Sequence, residues 1–104
     1  MNTLIIDTAS NKEIKIGLKI NSKKYLSRKK IGSQKAQIAL PMIEKLLNQN
    51  SIVLKKIDGI QVNTGPGSFT GLRVGISIAN ALGFFLKIPI NGKKVGVMAY
   101  PKYK

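Results

Sequence analysis

Between Ile60 and Arg73 the chain leaves a short apolar run, turns on Gly65-Pro66-Gly67, and enters a long uncharged helical pattern. Few features constrain a fold more, because this turn must join a buried strand directly to a buried helix. Gly65 and Gly67 permit backbone angles closed to other residues, and Pro66 fixes one dihedral between them. Ser68 or Thr70 can cap the helix by accepting from a free backbone N–H. Gly71 follows, and Arg73 brings a guanidinium to the first turn. Free amides, a positive helix end and Arg73 leave two readings open, an anion site or a rigid elbow. The nucleotide-binding motifs do not fit. A Walker loop needs Gly-Lys followed by Ser or Thr, whereas Gly71 is followed by Leu72 and Arg73. The dinucleotide fingerprint needs an acid about 20 residues further on, and none follows Asp58.

The pattern on either side of this turn predicts an α/β fold. Leu4-Ile5-Ile6 reads as a short buried strand closing at Asp7-Thr8, where the acid either ties down a turn or positions a metal-bound phosphate. Ile14, Ile16, Leu18 and Ile20 alternate with Glu13, Lys15, Gly17 and Lys19, the signature of a half-buried strand. Asn21-Ser22 forms a turn, and Lys24 to Arg28 returns as the next strand, ending in the basic cluster Arg28-Lys29-Lys30. Gly32-Ser33 opens a loop before a helix predicted from Lys35 to Asn48. Its apolar arc holds Ala36, Ala39, Leu40, Ile43, Leu46 and Leu47, while Ile38 and Met42 fall on a flank with Lys45 and Gln49. Pro41 stands inside the pattern, which implies a kink or a tight first segment.

The second helix, Thr70 to Leu86, carries Gly71, Gly75, Ala79 and Gly83 at every fourth position, a row that lets another backbone approach closely. Val74, Ile78, Leu82 and Phe85 run beside it. Arg73, Ser77, Asn80 and Lys87 form a polar arc interrupted by Phe84, and an aromatic off the core stripe either marks a partner surface or packs under the chain's end. Ile88-Pro89-Ile90 reads as a last strand, and residues 93–104 carry so little pattern that partial disorder is expected. The order βββαβαβ implies a mixed β-sheet with flanking helices in one domain, residues 1–92, with 93–104 as a basic tail.

Composition narrows the chemistry. Eighteen basic residues stand against four acids, for a net charge of +14. Such a balance suits an acidic partner such as RNA. Sixteen of the bases are lysine, and with isoleucine and asparagine also abundant this equally fits a genome rich in A and T. There is no cysteine and no histidine, so this chain offers no disulfide, thiolate or imidazole chemistry and no zinc site of the usual kind. The acids Asp7, Glu13, Glu44 and Asp58 are scattered, and neither a metal site nor a cofactor is expected. The first residues lack the pattern of a signal peptide, and the uncharged run from Val74 to Leu86 is too short to span a bilayer. A cytoplasmic protein with no membrane partner is the expectation.

Ile5-Ile6-Asp7-Thr8-Ala9 and the segment from Gly65 to Arg73, with Gln37, Leu40-Pro41-Met42 and the helix after Arg73, resemble the TsaB (YeaZ) family. The similarity runs from residue 1 to about residue 92 and ends with the first lobe of a two-lobed family. It implies the lobe fold shared by actin, Hsp70 and sugar kinases (ribonuclease H-like). It also implies a role in forming N6-threonylcarbamoyladenosine at position 37 of tRNA. In that family TsaB is a non-catalytic scaffold that pairs with the catalytic TsaD subunit, and TsaE is a further ATPase partner. Carried onto this chain, the resemblance implies a helical interface made by Ile38, Met42, Lys45 and Gln49 with Arg73, Ser77, Asn80 and Phe84. The same surface would serve a second copy of the chain, and tRNA would be met through the assembled complex. Lys35-Ala36-Gln37 departs from the family's His-Thr-Gln, and these 104 residues are expected to form the first lobe without the second. A basic RNA-binding module and a truncated, non-functional remnant are the alternatives.

Overall fold

The computed structural model describes residues 1–30 and 35–102, with only the backbone of residues 35 and 36. Three strands, β1 (Asn2–Asp7), β2 (Glu13–Ile20) and β3 (Lys23–Lys30), form an antiparallel meander. Helix α1 (Lys35–Gln49) leads through a single 3-10 turn at Leu54–Lys56 to β4 (Gly59–Val62), which lies parallel to β1. Helix α2 (Phe69–Leu86) follows. The sheet order is β3-β2-β1-β4. The Gly32-Ser33 loop expected ahead of α1 lies outside the described residues.

Register explains the core. Leu4 pairs with Leu18 and Ile60, and Ile6 with Ile16 and Val62, so one sheet face is an unbroken apolar layer. Each of these residues is buried. Both helices cover that face, α1 over β2 and α2 over β1 and β4, and they touch each other. The hairpin turn at Asn21-Ser22 puts Asn21 at φ 55°, a left-handed position that asparagine tolerates.

The small-residue row of α2 is used inward. Thr8, just past β1 and only 1% exposed, pushes its hydroxyl into the helix. There it donates to the Gly71 carbonyl and accepts from the Gly75 amide at 3.0 Å, the two groups that a regular helix pairs with each other. A Cβ on Gly75 would stand 2.5 Å from the Thr8 Oγ1, and one on Gly83 would stand 2.6 Å from Ile90 Cδ1. Leu72, Ile76 and Ala79 complete the buried stripe. By length and composition alone α2 could cross a bilayer, since the helix takes in Phe69 to Arg73 beyond the Val74 to Leu86 run. In this fold its row of glycine and alanine is instead spent on the sheet.

Two expectations are corrected at the end of the chain and along α1. The last strand shrinks to one parallel bridge between Ile60 and Ile90. Pro89 has no N–H to donate, Asn91 turns to φ 54°, and the Asn91 amide side chain takes over by pairing with both the N–H and the C=O of Val62. On α1 the buried arc is centred on Ala39, Ile43 and Leu46, about one side chain away from the expected one. Met42, expected on the outer flank, is therefore 8% exposed and in the core, while Leu40, expected inside, is 53% exposed. Pro41 lies on the exposed side, as does Gln37, whose carbonyl proline cannot bond and water can.

The tail from Lys93 to Lys102 lies over the end of α2 and the glycine loop. Asn80 grips it twice, its Nδ2 donating to the Ala99 carbonyl at 2.9 Å and its Oδ1 accepting from the Ala99 amide at 2.8 Å. Lys102 adds an amide donation to the Thr64 carbonyl.

Replacing Gly75 with alanine should lower stability by about 2 kcal/mol, although alanine is the better helix former, because overpacking at Thr8 outweighs propensity. Denaturant melts measure it, and an unchanged or raised midpoint contradicts the lock. Asn80→Ala should leave the melt nearly unchanged but speed tryptic cleavage after Lys93 and Lys94. An unaltered cleavage rate would mean that the Asn80 grip does not hold the tail.

Candidate partner interface

The loop before α2 is built as an elbow. The Gly65 amide donates to Asn63 Oδ1 at 2.9 Å, and the Gly65 φ of 119° is one that a side chain would resist. Ser68 is the N-cap: its Oγ accepts from the Gly71 amide at 3.3 Å, and its own amide donates to the Ala9 carbonyl at 2.7 Å. A Cβ on Gly67 would come within 2.7 Å of the Ala9 Cβ, so the loop can press flat on the end of β1. Thr70 is exposed and Gly71 buried. The amides of Gly65, Ser68 and Gly71 are thus taken up by the protein itself, and the geometry is that of the elbow rather than an anion cradle. Asp7 is likewise engaged, its Oδ1 accepting from the Ala9 amide at 3.1 Å and from Asn63 Nδ2 at 3.2 Å. It ties down a turn.

The other acids are dispersed. Asp58 accepts from the Asn2 amide at 2.7 Å, Glu13 lies beside Lys15, and Glu44 stands exposed on α1. Among the described residues no three metal-ligating side chains gather.

What the fold turns outward is the far side of the two helices. Lys45 and Gln49 on α1, and Arg73, Ser77 and Phe84 on α2, are exposed as expected. Ile38 is half-buried against the core, and Met42 is inside it. Asn80, placed in the interface from the sequence, is half-buried and committed to Ala99. Phe84 does not pack under the chain's end: it is 85% exposed, although Val97 and Met98 line the groove beside it. Phe85, in the row that runs beside the small residues, is 76% exposed next to it. The small glycine row turns fully inward, and with it the large neighbours at the helix end rotate out.

Sequence reasoning missed three members of this surface, Leu40, Phe69 and Phe85. The arginine guanidinium of Arg73 sits 5.1 Å from the centre of the Phe69 ring, four residues earlier on the same helix face. That spacing was a usable signal, since residues four apart on a helix are neighbours. The result is an apolar and aromatic helix face with few charges.

Comparison with known proteins accords with this lobe. The model of the family described as TsaD, tRNA N6-adenosine threonylcarbamoyltransferase, matches residues 19–94. The tRNA threonylcarbamoyladenosine biosynthesis protein TsaB of Buchnera aphidicola subsp. Schizaphis graminum is 44% identical over 69 residues, covering 62% of this chain and 33% of the relative. The TsaB of Buchnera aphidicola subsp. Baizongia pistaciae is 29% identical over 89 residues, covering 86% of this chain and 40% of the relative. The solved structure of YeaZ from Pseudomonas aeruginosa superposes with a TM-score of 0.82 at 29% identity, over 89% of this chain and 43% of that one. The chain therefore spans well under half the length of the proteins it matches, and what it shares with them is this lobe. By the family model over most of its length, and by these relatives, the chain belongs to the TsaB (YeaZ) group of the TsaD family.

Proposed function

We propose that this chain is a non-catalytic scaffold lobe in the assembly that forms N6-threonylcarbamoyladenosine at position 37 of tRNA. It pairs with a TsaD-type catalytic subunit through the outer faces of α1 and α2. The observation that carries this reading is the outer side of the two helices, where Leu40, Phe69, Phe84 and Phe85 are all exposed. Solvent-facing aromatics of that size are the usual anchors of protein interfaces. The contact set differs from the sequence expectation in three respects: Leu40 takes the place of Met42, Asn80 serves the tail, and Phe69 and Phe85 join the surface.

A scaffold rather than an enzyme is favoured by the engagement of Asp7 and of the loop amides within the fold. The Buchnera relatives are named for threonylcarbamoyladenosine biosynthesis, which supports the same pathway for this chain. A second copy of the chain could occupy the same face when no partner is present, and a TsaE-type ATPase and tRNA would join through the assembled complex, in the cytoplasm.

Co-purification with the TsaD-type subunit of the same organism, with mass read by light scattering, tests the proposal. A stable one-to-one complex is expected. Phe84→Asp should weaken it by about 2 kcal/mol, near thirty-fold, with an unchanged circular dichroism spectrum. A well-folded chain that does not bind, or binding indifferent to Phe84→Asp, would overturn the reading.

A further inference from the structure

The sheet has a second face that the helices do not cover, and its charge is unlike the rest of the molecule. Eight of the eighteen basic residues lie between Lys12 and Lys30. Strand register sorts them. Lys15 of β2 stands directly opposite Arg28 of β3, and Lys19 stands opposite Lys24. These four share the uncovered face with Ile5 and Leu26, since a Cβ at Gly17 would touch the Ile5 side chain and Gly17 pairs with Leu26. Two acids share this face, Glu13, 3.7 Å from Lys15, and Asp7, opposite Lys15 on β1 and held by the Ala9 amide and Asn63 Nδ2, and both lie at the Lys15 end.

Like charges directly opposite each other on a sheet are destabilising. Glu13 and Asp7 offset part of this at Lys15, but Lys19 faces Lys24 with no acid beside it, so the face keeps a surplus of cations that the fold does not pair. Protection of a sheet edge does not explain this. Lysines blunt an edge when they sit on the edge strand, and β3 is that strand, but Lys15 and Lys19 belong to β2, which is paired on both sides. A lysine-rich composition accounts for the residue type but not for this register. The helix face, built from the same composition, carries mainly Leu40, Phe69, Phe84 and Phe85. An apolar cover is equally unsuited, since it would strip four cations of water without offering a partner.

We propose that the uncovered face of the β2–β3 hairpin is a docking surface for the phosphate backbone of RNA. A polyanion turns the repulsion between Lys15 and Arg28, and between Lys19 and Lys24, into paired contacts on successive phosphates. The two cation pairs are four residues apart along the strands, about 13 Å. Contacts of this type hold and orient a nucleic acid without reading its bases. The naming of tRNA as that RNA rests on the proposed function, whereas the charge geometry does not.

The test compares two charge-matched variants of the whole chain. One carries Lys15→Gln, Lys19→Gln, Lys24→Gln and Arg28→Gln. The other carries Lys55→Gln, Lys56→Gln, Lys93→Gln and Lys94→Gln, all exposed and away from the hairpin face. Binding to an unmodified tRNA transcript is followed by anisotropy across a salt series. The hairpin variant should bind about ten-fold or more weakly, with a log–log salt slope shallower by about three, as expected for four lost phosphate contacts. The control should change by less than half as much, and both should melt at or above the parent temperature. Equal losses in the two variants would reduce the effect to net charge and overturn the proposal, as would a hairpin variant that binds like the parent. Loss of TsaD pairing by the hairpin variant with tRNA binding intact would also overturn it, in favour of a protein partner. Pairing with TsaD and binding to tRNA are separate readouts, so either reading can fail alone.

Discussion

The Thr8 hydroxyl, held between the Gly71 carbonyl and the Gly75 amide, is the contact on which the rest of the arrangement depends. It fastens the end of β1 into the backbone of α2, a closer approach than side-chain packing allows. Everything nearby follows from that distance. Gly75 must lack a side chain, the loop before α2 must lie flat on Ala9, and Ser68 must cap the helix while donating to the Ala9 carbonyl. A buried hydroxyl that both donates and accepts leaves no unsatisfied group behind, so the insertion costs little and fixes the helix rotation. That rotation in turn decides which residues of α2 face away from the sheet.

Much of this was legible in the sequence because its periodicities are strong. Alternation from Ile14 to Ile20 gave a strand with one buried face, and the fourfold recurrence of Gly71, Gly75, Ala79 and Gly83 announced a close backbone approach. The identity of the approaching group was not legible, because nothing local distinguishes Thr8 from any threonine after a strand. Leu40 and Met42 exchanged roles for a related reason. Both sit at the borders of a helical arc, where a shift of one side chain decides burial, and only tertiary packing sets that shift. The last strand failed on chemistry visible in the sequence, since Pro89 cannot donate, but its replacement by an asparagine side chain needs the neighbouring strand to be in place. Asn80 looked like one member of a polar arc until the tail supplied its partner.

The same chain divides its outer surface by chemistry. Behind the core layer, α1 and α2 present aromatic and aliphatic side chains with few charges. On the opposite side of the sheet, β2 and β3 present lysine and arginine in register. A protein partner and a nucleic acid ask for these two surfaces respectively, because desolvation favours the first and counterion release the second. By the two proposals taken together, one lobe would hold a catalytic subunit on its helix face and an RNA on its hairpin face.

The absence of cysteine makes the division directly measurable. Single thiols introduced by Ser77→Cys on the helix face and Lys24→Cys on the hairpin face can be alkylated with and without the TsaD-type subunit. The account predicts that the subunit slows alkylation at position 77 several-fold and leaves position 24 unchanged. Protection at position 24 instead, or at neither, would contradict the assignment of the helix face to the protein partner.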